Sequence, residues 1–197
     1  MGRVALWVTV GAAGALLLLT SATAGVVSSV FGGGGARGDG APVSASGWTR
    51  PVVGTAGSGF RTADRPGHDG VDIMAPKGTV IRAASGGVVV RVRCNVGGAS
   101  REPTGPPMPC DSDGYPGLGG CGWYADIRHA GDIVSRYCHM VRQPTVTVGQ
   151  TVIVGQPIGH VGSSGNSSGP HLHYEIHEGG NNAVDPVPFM RQKGVVL

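Results

Sequence analysis

Lysine and aromatic side chains are scarce in this sequence. Among 15 basic residues only Lys77 and Lys193 are lysines, the net charge is +3, and no two basic residues are adjacent. A chain without a basic run lacks the electrostatic footprint of a nucleic-acid-binding protein, so that class is excluded. Aromatic residues make up 5% of the chain, against 37 glycines and 14 prolines. This balance favours turn-rich β structure over long helices.

Charge is also absent from a long N-terminal stretch, since residues 4–36 carry none. The first half of this stretch is apolar, and a small-residue pattern ending at Ala24 predicts a signal peptide cleaved after that residue. Apolar residues resume beyond the site, so an uncleaved transmembrane anchor within residues 1–31 is the alternative. Both hypotheses place the remaining chain outside the cytoplasm. Residues 32–50 are predicted to form a flexible glycine-rich linker.

No Cys-x-x-Cys pair occurs, which argues against a zinc site made of cysteines. The four cysteines are Cys94, Cys110, Cys121 and Cys138. An even number in an exported chain predicts two disulfides, and three connectivities are open. If residues 86–94 and 121–129 pair as strands, Cys94 and Cys121 lie near one another at the open end, which favours a bond between them.

Short strands are predicted over much of the chain from residue 51 onwards. Residues 79–93 contain two β-branched runs around a turn, and residues 123–129 and 133–140 are typical of a hairpin. Further short strands separated by glycine turns are expected at 145–161. The predicted fold class is therefore all-β, with antiparallel sheets that form an open groove and not a closed barrel.

One predicted strand carries two histidines in alternate positions. His171 and His173 follow a glycine- and serine-rich loop, and side chains two apart on a strand share a face. Far upstream, His68 and Asp72 stand four apart around a glycine. Imidazole and carboxylate groups bind Zn²⁺, and hydrolytic zinc sites use three protein ligands and leave a position for water. These two segments therefore predict a metal site.

The two segments resemble the lysostaphin-type, or LytM-type, zinc metallopeptidases of the M23 family, which cut peptidoglycan peptides. Other matching strings follow in the family's order: Ser-Gly-Phe-Arg at 58–61, the segment 75–86, Tyr-Cys-His at 137–139 and Val-Asp-Pro at 184–186. The resemblance covers roughly residues 52 to 189 and implies an M23-type domain at 51–190, related to barrel-sandwich hybrids. Within it, residues 95–121 would be an inserted loop pinned by its cysteines, and 191–197 would form a C-terminal tail.

The resemblance also assigns roles to five side chains. His68, Asp72 and His173 match the family's zinc ligands, and His139 and His171 match its two catalytic histidines. One of these histidines would take a proton from the attacking water, and the other would stabilise the oxyanion; which does which is open. The implied function is zinc-dependent hydrolysis of peptide cross-links in bacterial peptidoglycan, by an enzyme secreted or anchored at the cell wall. The expected partners are stem or bridge peptides, and the oligomeric state is open.

The sequence also raises two alternative functions. A catalytically inactive relative that binds the wall or activates another hydrolase is the first, but the five matched positions are all present. The second arises because residues 146–159 resemble the strand repeats of biotinyl and lipoyl carrier domains. Such carriers need a lysine for attachment, and none occurs between Lys77 and Lys193, so carrier function is excluded.

Other titratable residues receive structural interpretations. His129, His160 and His177 are predicted to be surface or hydrogen-bonded residues without a chemical role. Glu175 shares a strand face with the histidine pair, so it could support a metal ligand from behind. The favoured interpretation is that it forms a salt bridge or faces solvent. Asp126 is predicted to be a charge on the strand surface.

Overall fold

The computed structural model describes residues 41–101, 103 and 109–197, together with Gly2. The predicted leader or anchor at 1–31 and the first part of the predicted linker lie outside these residues. Among the described residues, no helix combines the length and the apolar character needed to cross a membrane.

Short strands dominate the described part of the chain. Its strands are β1 (Thr55–Ala56), β2 (Val71–Met74), β3 (Val80–Arg82), β4 (Gly87–Val96), β5 (Ala99–Arg101), β6 (Gly122–His129), β7 (Ile133–Met140), β8 (Thr151–Val152), β9 (Pro157–His160), β10 (His171–Glu178) and β11 (Asn182–Val184). A 3-10 turn at Pro109–Asp111 and the helix α1 (Pro186–Gln192) complete the elements described. Asp185 caps α1, since its side chain accepts a hydrogen bond from the backbone N–H of Val187.

Nine of the described strands form one sheet, in the order β1-β2-β10-β7-β6-β4-β5, with β11 beside β10 and β8 beside β4. Strands β3 and β9 form a second, two-stranded sheet. Every pairing is antiparallel. The predicted all-β class with open antiparallel sheets is confirmed, as is the β6–β7 hairpin.

The hydrophobic core lies under one face of β10. Leu172, Tyr174 and Ile176 are fully buried there, and the Tyr174 ring lies 5.3 Å from that of Tyr137 on β7. Because side chains alternate along a strand, the histidines between them point to the opposite face. One strand therefore joins the core to the surface where the predicted chemistry lies.

Both ends of the folded part extend beyond the predicted boundaries of the domain. Trp48, placed by the sequence in the linker 32–50, is buried with its ring 5.3 Å from that of Phe189. Val195, placed in the tail 191–197, is also buried in the core. These flanking residues pack on the domain, so its structured part begins earlier and ends later than the sequence predicts.

The disulfides join Cys94 to Cys110 and Cys121 to Cys138. Strands β4 and β6 do pair as expected, with Cys94 opposite Trp123, but the favoured bond between Cys94 and Cys121 is wrong. Cys94 is buried in the core, where Cys110 of the inserted segment meets it. Cys121 precedes β6 and is bonded instead to the neighbouring strand β7.

Candidate metal centre

Three buried side chains converge where β2 pairs with β10. These residues, His68, Asp72 and His173, are called the triad below. Asp72 and His173 are direct cross-strand partners, and His68 lies in the loop before β2. Asp72 Oδ1 lies 2.9 Å from both His68 Nε2 and His173 Nδ1, and these two nitrogens are 3.0 Å apart. The structure thus brings together residues separated by about a hundred positions in the chain.

The hydrogen bonds behind the triad determine which atoms face its centre. His68 Nδ1 lies 2.6 Å from the carbonyl oxygen of Gly59, and His173 Nε2 lies 3.0 Å from Glu175 Oε1. Both oxygens only accept, so these ring nitrogens carry protons, and the opposite nitrogen of each ring presents a lone pair when that ring is neutral. The repulsion between three facing acceptors is removed either by a proton shared with Asp72 or by a cation that lies among the three atoms. Zinc fits this donor set, since its tetrahedral ligands are about 3.3 Å apart.

Charged side chains support the triad from outside. The second oxygen of Asp72 accepts a hydrogen bond from Arg65 at 2.7 Å. Glu175 is 6% exposed, and its second oxygen contacts Arg136 at 3.2 Å and His177 at 2.5 Å. The interpretation of Glu175 as mainly a salt-bridged or solvent-facing residue is therefore incomplete, because it also holds His173. Such hydrogen bonds fix the orientation of a metal-binding imidazole.

The charged contacts behind the triad extend from β7 to the neighbouring strand β6. Arg136 donates to Asp126 at 2.8 Å, and Arg91 donates to the same carboxylate at 3.0 Å. Asp126 is 2% exposed, so its prediction as a surface charge is wrong. Burial acts against the charge of Arg136, but Asp126 and Glu175 outweigh that effect and raise the pKa of Arg136 above its usual range. A row of alternating charges, whose two carboxylates are buried, therefore lies behind the triad.

His139 and His171, the two predicted catalytic residues, lie beside the triad. Their ring centroids are 4.7 Å apart, and the His139 ring is 5.8 Å from that of His173. His139 Nδ1 donates to the carbonyl oxygen of Ser164 at 2.7 Å, and His171 Nδ1 donates to that of Gly169 at 2.8 Å. Each ring consequently presents Nε2 with a lone pair, the state required of a proton acceptor.

Burial and neighbouring charges shift the pKa values of the histidines at this site in opposite directions. Burial, together with His171 and His173, lowers the pKa of His139 to about 3. Burial likewise lowers the pKa of His171. Burial acts the same way on His173, but hydrogen bonds to Asp72 and Glu175 outweigh it and raise its pKa to about 9. Binding a metal at His173 would displace that proton.

Asp72 also departs from ordinary behaviour. Burial acts to raise the pKa of this carboxyl, but hydrogen bonds from His173, His68 and Arg65 outweigh burial and hold the pKa well below its usual range. Asp72 is therefore an anion at neutral pH, as a metal-binding carboxylate must be.

The glycine between His68 and Asp72, Gly70, is required by close packing. A Cβ at Gly70 would lie 2.5 Å from the carbonyl oxygen of Tyr174 and 2.8 Å from His173 Cε1. Any side chain there would displace the ring of a triad member. At Gly67, three residues earlier, an added Cβ would meet no atom within 4 Å.

A groove of about 420 Å³ opens onto the triad. Beside the two triad histidines, its lining includes Arg65, Asp69, Asn95, Gly120, His139 and Asn166. The backbone N–H of Asn166 donates to the Gly120 carbonyl at 2.8 Å, which ties the glycine- and serine-rich loop before β10 to the inserted segment. This segment and that loop form one wall, and the loop before β2 forms the other.

Sequence reasoning did not identify Arg65, although it touches both Asp72 and the groove. It also ranked Glu175 low, although the alternation of His173, Glu175 and His177 along β10 was a usable signal. His129 takes no part in these contacts, because its Nδ1 donates to the Gly86 carbonyl at 2.9 Å.

Residues 66–186 match peptidase family M23, which is more than half of the chain. The chain therefore belongs to this family, as its resemblance to the lysostaphin-type enzymes predicts.

The chain is similar in sequence to named peptidases and in structure to a solved catalytic domain. Over 109 residues the chain is 34% identical to the peptidoglycan DD-endopeptidase ShyC of Vibrio cholerae, a match that covers 55% of this chain and 20% of that protein. Over 130 residues it is 31% identical to the glycyl-glycine endopeptidase ALE-1 of Staphylococcus capitis, covering 64% and 30%. Among solved structures, a mutant catalytic domain of the M23 protein EnpA of Enterococcus faecalis superposes with a TM-score of 0.51 at 32% identity, covering 67% and 88%. The chain thus spans only a fifth to a third of these two longer relatives.

Proposed function

We propose that this protein is a zinc-dependent endopeptidase that hydrolyses peptide cross-links of bacterial peptidoglycan. The observation that carries the proposal is the triad, in which three acceptor atoms face one another within 3.0 Å. Family membership supports hydrolysis of a peptide bond. The two named relatives act on different bonds by their names, so the bond cut by this chain is decided by its own groove.

In this proposal the metal is held by His68 Nε2, Asp72 Oδ1 and His173 Nδ1. Bound there, zinc would supply a water activated near neutral pH and a Lewis acid toward the scissile carbonyl. Arg65 and Glu175 would keep two of the ligands in position, because each bonds the ligand atom opposite the metal-facing one.

In the proposed reaction, His139 and His171 transfer protons and stabilise the developing charge. Nε2 of His139 or of His171 accepts a proton from the attacking water, since the Nδ1 proton of each ring is held by a backbone carbonyl. The protonated ring then donates from Nε2 to the leaving amine. The partner ring, when it carries a proton on Nε2, stabilises the developing oxyanion. His139 lines the groove where the peptide would lie.

We further propose that the enzyme acts outside the cytoplasm, delivered by residues 1–31 and spaced from them by part of the segment 32–50. Disulfides in the folded domain support an oxidising compartment. N-terminal sequencing of exported protein tests the mode of delivery. A start at Gly25 indicates a cleaved leader, and an intact N-terminus indicates an anchor.

Mass spectrometry of peptides released from defined cross-linked peptidoglycan tests the enzymatic proposal. The oxidised full chain loaded with zinc should release cleaved cross-links, should stop after chelation and should resume when zinc is restored. His68→Ala should abolish cleavage, whereas His160→Ala, which lies outside the site, should retain it. Cleavage that continues after complete removal of metal would contradict the proposed mechanism.

A further inference from the structure

The disulfide between Cys121 and Cys138 lies directly beside a predicted catalytic histidine. Cys138 immediately precedes His139, and the carbonyl oxygen of Cys121 accepts a hydrogen bond from the His139 N–H at 2.8 Å. The two half-cystines thus hold the backbone of His139 from both sides. We propose that this disulfide is a positioning element, which keeps the His139 imidazole at its place in the groove; the inference rests on the proposed function.

The backbone of His139 needs such restraint. Its φ is 63°, in the left-handed region that a residue with a Cβ adopts only at a cost in free energy. The register between β6 and β7 also shifts nearby, between Trp123 and Ala125. Strained conformations persist where the surroundings impose them. Removing the covalent bond therefore gives His139 a route to an ordinary backbone conformation, which would redirect its side chain.

Only non-covalent contacts would remain to oppose that change. The imidazole donates to the Ser164 carbonyl at 2.7 Å, and the Ser164 hydroxyl donates to the Met140 carbonyl at 2.7 Å. The same hydroxyl accepts from the N–H of Trp123 at 3.0 Å, so it links the beginning of β6 to the end of β7. These bonds all meet at one residue of the loop before β10. Without the disulfide, the backbone of His139 keeps its hydrogen bond to the Cys121 carbonyl, and the imidazole is held by this loop.

The second disulfide provides a matched comparison. Cys94 and Cys110 are 16 residues apart in sequence, and Cys121 and Cys138 are 17 apart. Loops of equal length constrain the unfolded chain equally, so removing either bond should lower the stability of the fold by a similar amount. The two differ in location, because Cys121 lines the groove and neither Cys94 nor Cys110 does. Any difference in turnover between the two variants therefore reports on position and not on stability.

The decisive experiment compares Cys121→Ala/Cys138→Ala with Cys94→Ala/Cys110→Ala in the zinc-loaded full chain. Alanine is used because free thiols at the first pair would lie within 4.8 Å of Glu175 and offer a second metal site. Cleavage of a defined cross-linked peptide gives kcat and KM, and elemental analysis gives zinc per chain. We expect kcat to fall by about 10- to 100-fold for the first variant at unchanged zinc content, since small misplacements of a catalytic group have effects of this size.

The control variant should show a similar decrease in Tm and a kcat within about twofold of the wild type. Equal kcat losses in both variants, or a wild-type kcat in the first, overturn the inference while leaving the proposed function intact. A wild-type chain that cleaves no cross-link even with zinc overturns the proposed function instead. The two failures are thereby distinguishable.

A second measurement avoids dependence on the folding of the first variant. In the control variant the remaining bridge is Cys121–Cys138, and a water-soluble phosphine reduces it to two thiols while water supplies the oxygen of the phosphine oxide. Reduction should lower kcat by about tenfold or more both at one zinc per chain and with zinc in excess, where metal captured by the two thiols does not empty the site, and reoxidation should restore it. Unchanged turnover after verified reduction contradicts the inference.

Discussion

Replacing Glu175 with glutamine tests the buried support of the triad most directly. The carboxylate accepts the His173 Nε2–H at 3.0 Å with one oxygen, and contacts Arg136 and His177 with the other. Glutamine preserves the shape but removes the negative charge and replaces one acceptor with an NH₂ donor. Since the neighbouring groups also donate, one of these contacts must be lost. His173 then becomes a weaker and less firmly oriented ligand.

The expected magnitude follows from these contacts. Removing the hydrogen-bonded carboxylate behind a metal-binding histidine costs about 10- to 100-fold in metal affinity. This corresponds to roughly 1.4–2.7 kcal/mol of binding free energy. The fold itself should survive, because Arg136 keeps its hydrogen bond to Asp126 at 2.8 Å and no buried guanidinium is left unpaired.

Competition with a chromophoric zinc chelator measures the dissociation constant of each variant. Asp132→Asn makes the same chemical change at an exposed residue in the β6–β7 turn, and should bind zinc as the wild type does. If Glu175→Gln binds zinc as tightly as this control, the buried carboxylate does not support the ligand and the reasoning fails.

Three further predictions follow. Gly70→Ala should weaken zinc binding at least about tenfold, because a Cβ there meets the His173 ring, whereas Gly67→Ala should leave affinity unchanged; equal affinities would contradict the packing argument. Trp48→Ala should lower the free energy of unfolding in urea by about 3–5 kcal/mol, and Val53→Ala, 58% exposed, by less than about 0.5 kcal/mol. A small loss at Trp48 would show that the segment before residue 51 does not belong to the domain. Burial lowers the pKa of His129 below its ordinary 6.5, so the unfolded chain binds a proton at this imidazole more readily than the folded chain does. The free energy of unfolding should therefore decrease progressively as the pH falls below 6.5. In urea titrations at several pH values, His129→Gln should lose less of its free energy of unfolding as the pH falls. An identical pH dependence would show that this histidine does not cause the loss.

Local periodicity predicts much of the candidate site. His171 and His173 alternate with apolar residues, so the sequence alone indicates which face of β10 carries chemistry, and the structure shows Leu172 and Tyr174 fully buried on the other. The meeting of this strand with Asp72 required the resemblance to a known family, because no local pattern reveals which strands become neighbours. The metal and catalytic roles themselves remain predictions.

The charges behind the site were not predictable in the same way. An isolated carboxylate in a strand is usually exposed, so the sequence predicts that Asp126 lies on the surface. Its burial is possible because Arg136, on the adjacent strand, faces both it and Glu175. That arrangement depends on the register of three strands, which single-sequence reasoning does not specify.

The flanks and the disulfides escaped prediction for related reasons. Glycine and serine around Trp48 are typical of a linker, and a single aromatic anchor does not change that composition. The cysteine pairs depend on the path of the inserted segment, which has no periodic pattern. Pairing of β4 with β6 was correctly expected, yet it says nothing about where Cys110 returns to the sheet.

Because β10 presents hydrophobic side chains on one face and imidazoles on the other, the candidate site and the hydrophobic core share one strand. Thermal unfolding of the core therefore disrupts the candidate site in the same transition, and the site does not unfold separately at a lower temperature. Thermal inactivation and global melting should coincide for this protein, and Leu172→Ala, which removes fully buried side-chain atoms, should lower both temperatures together.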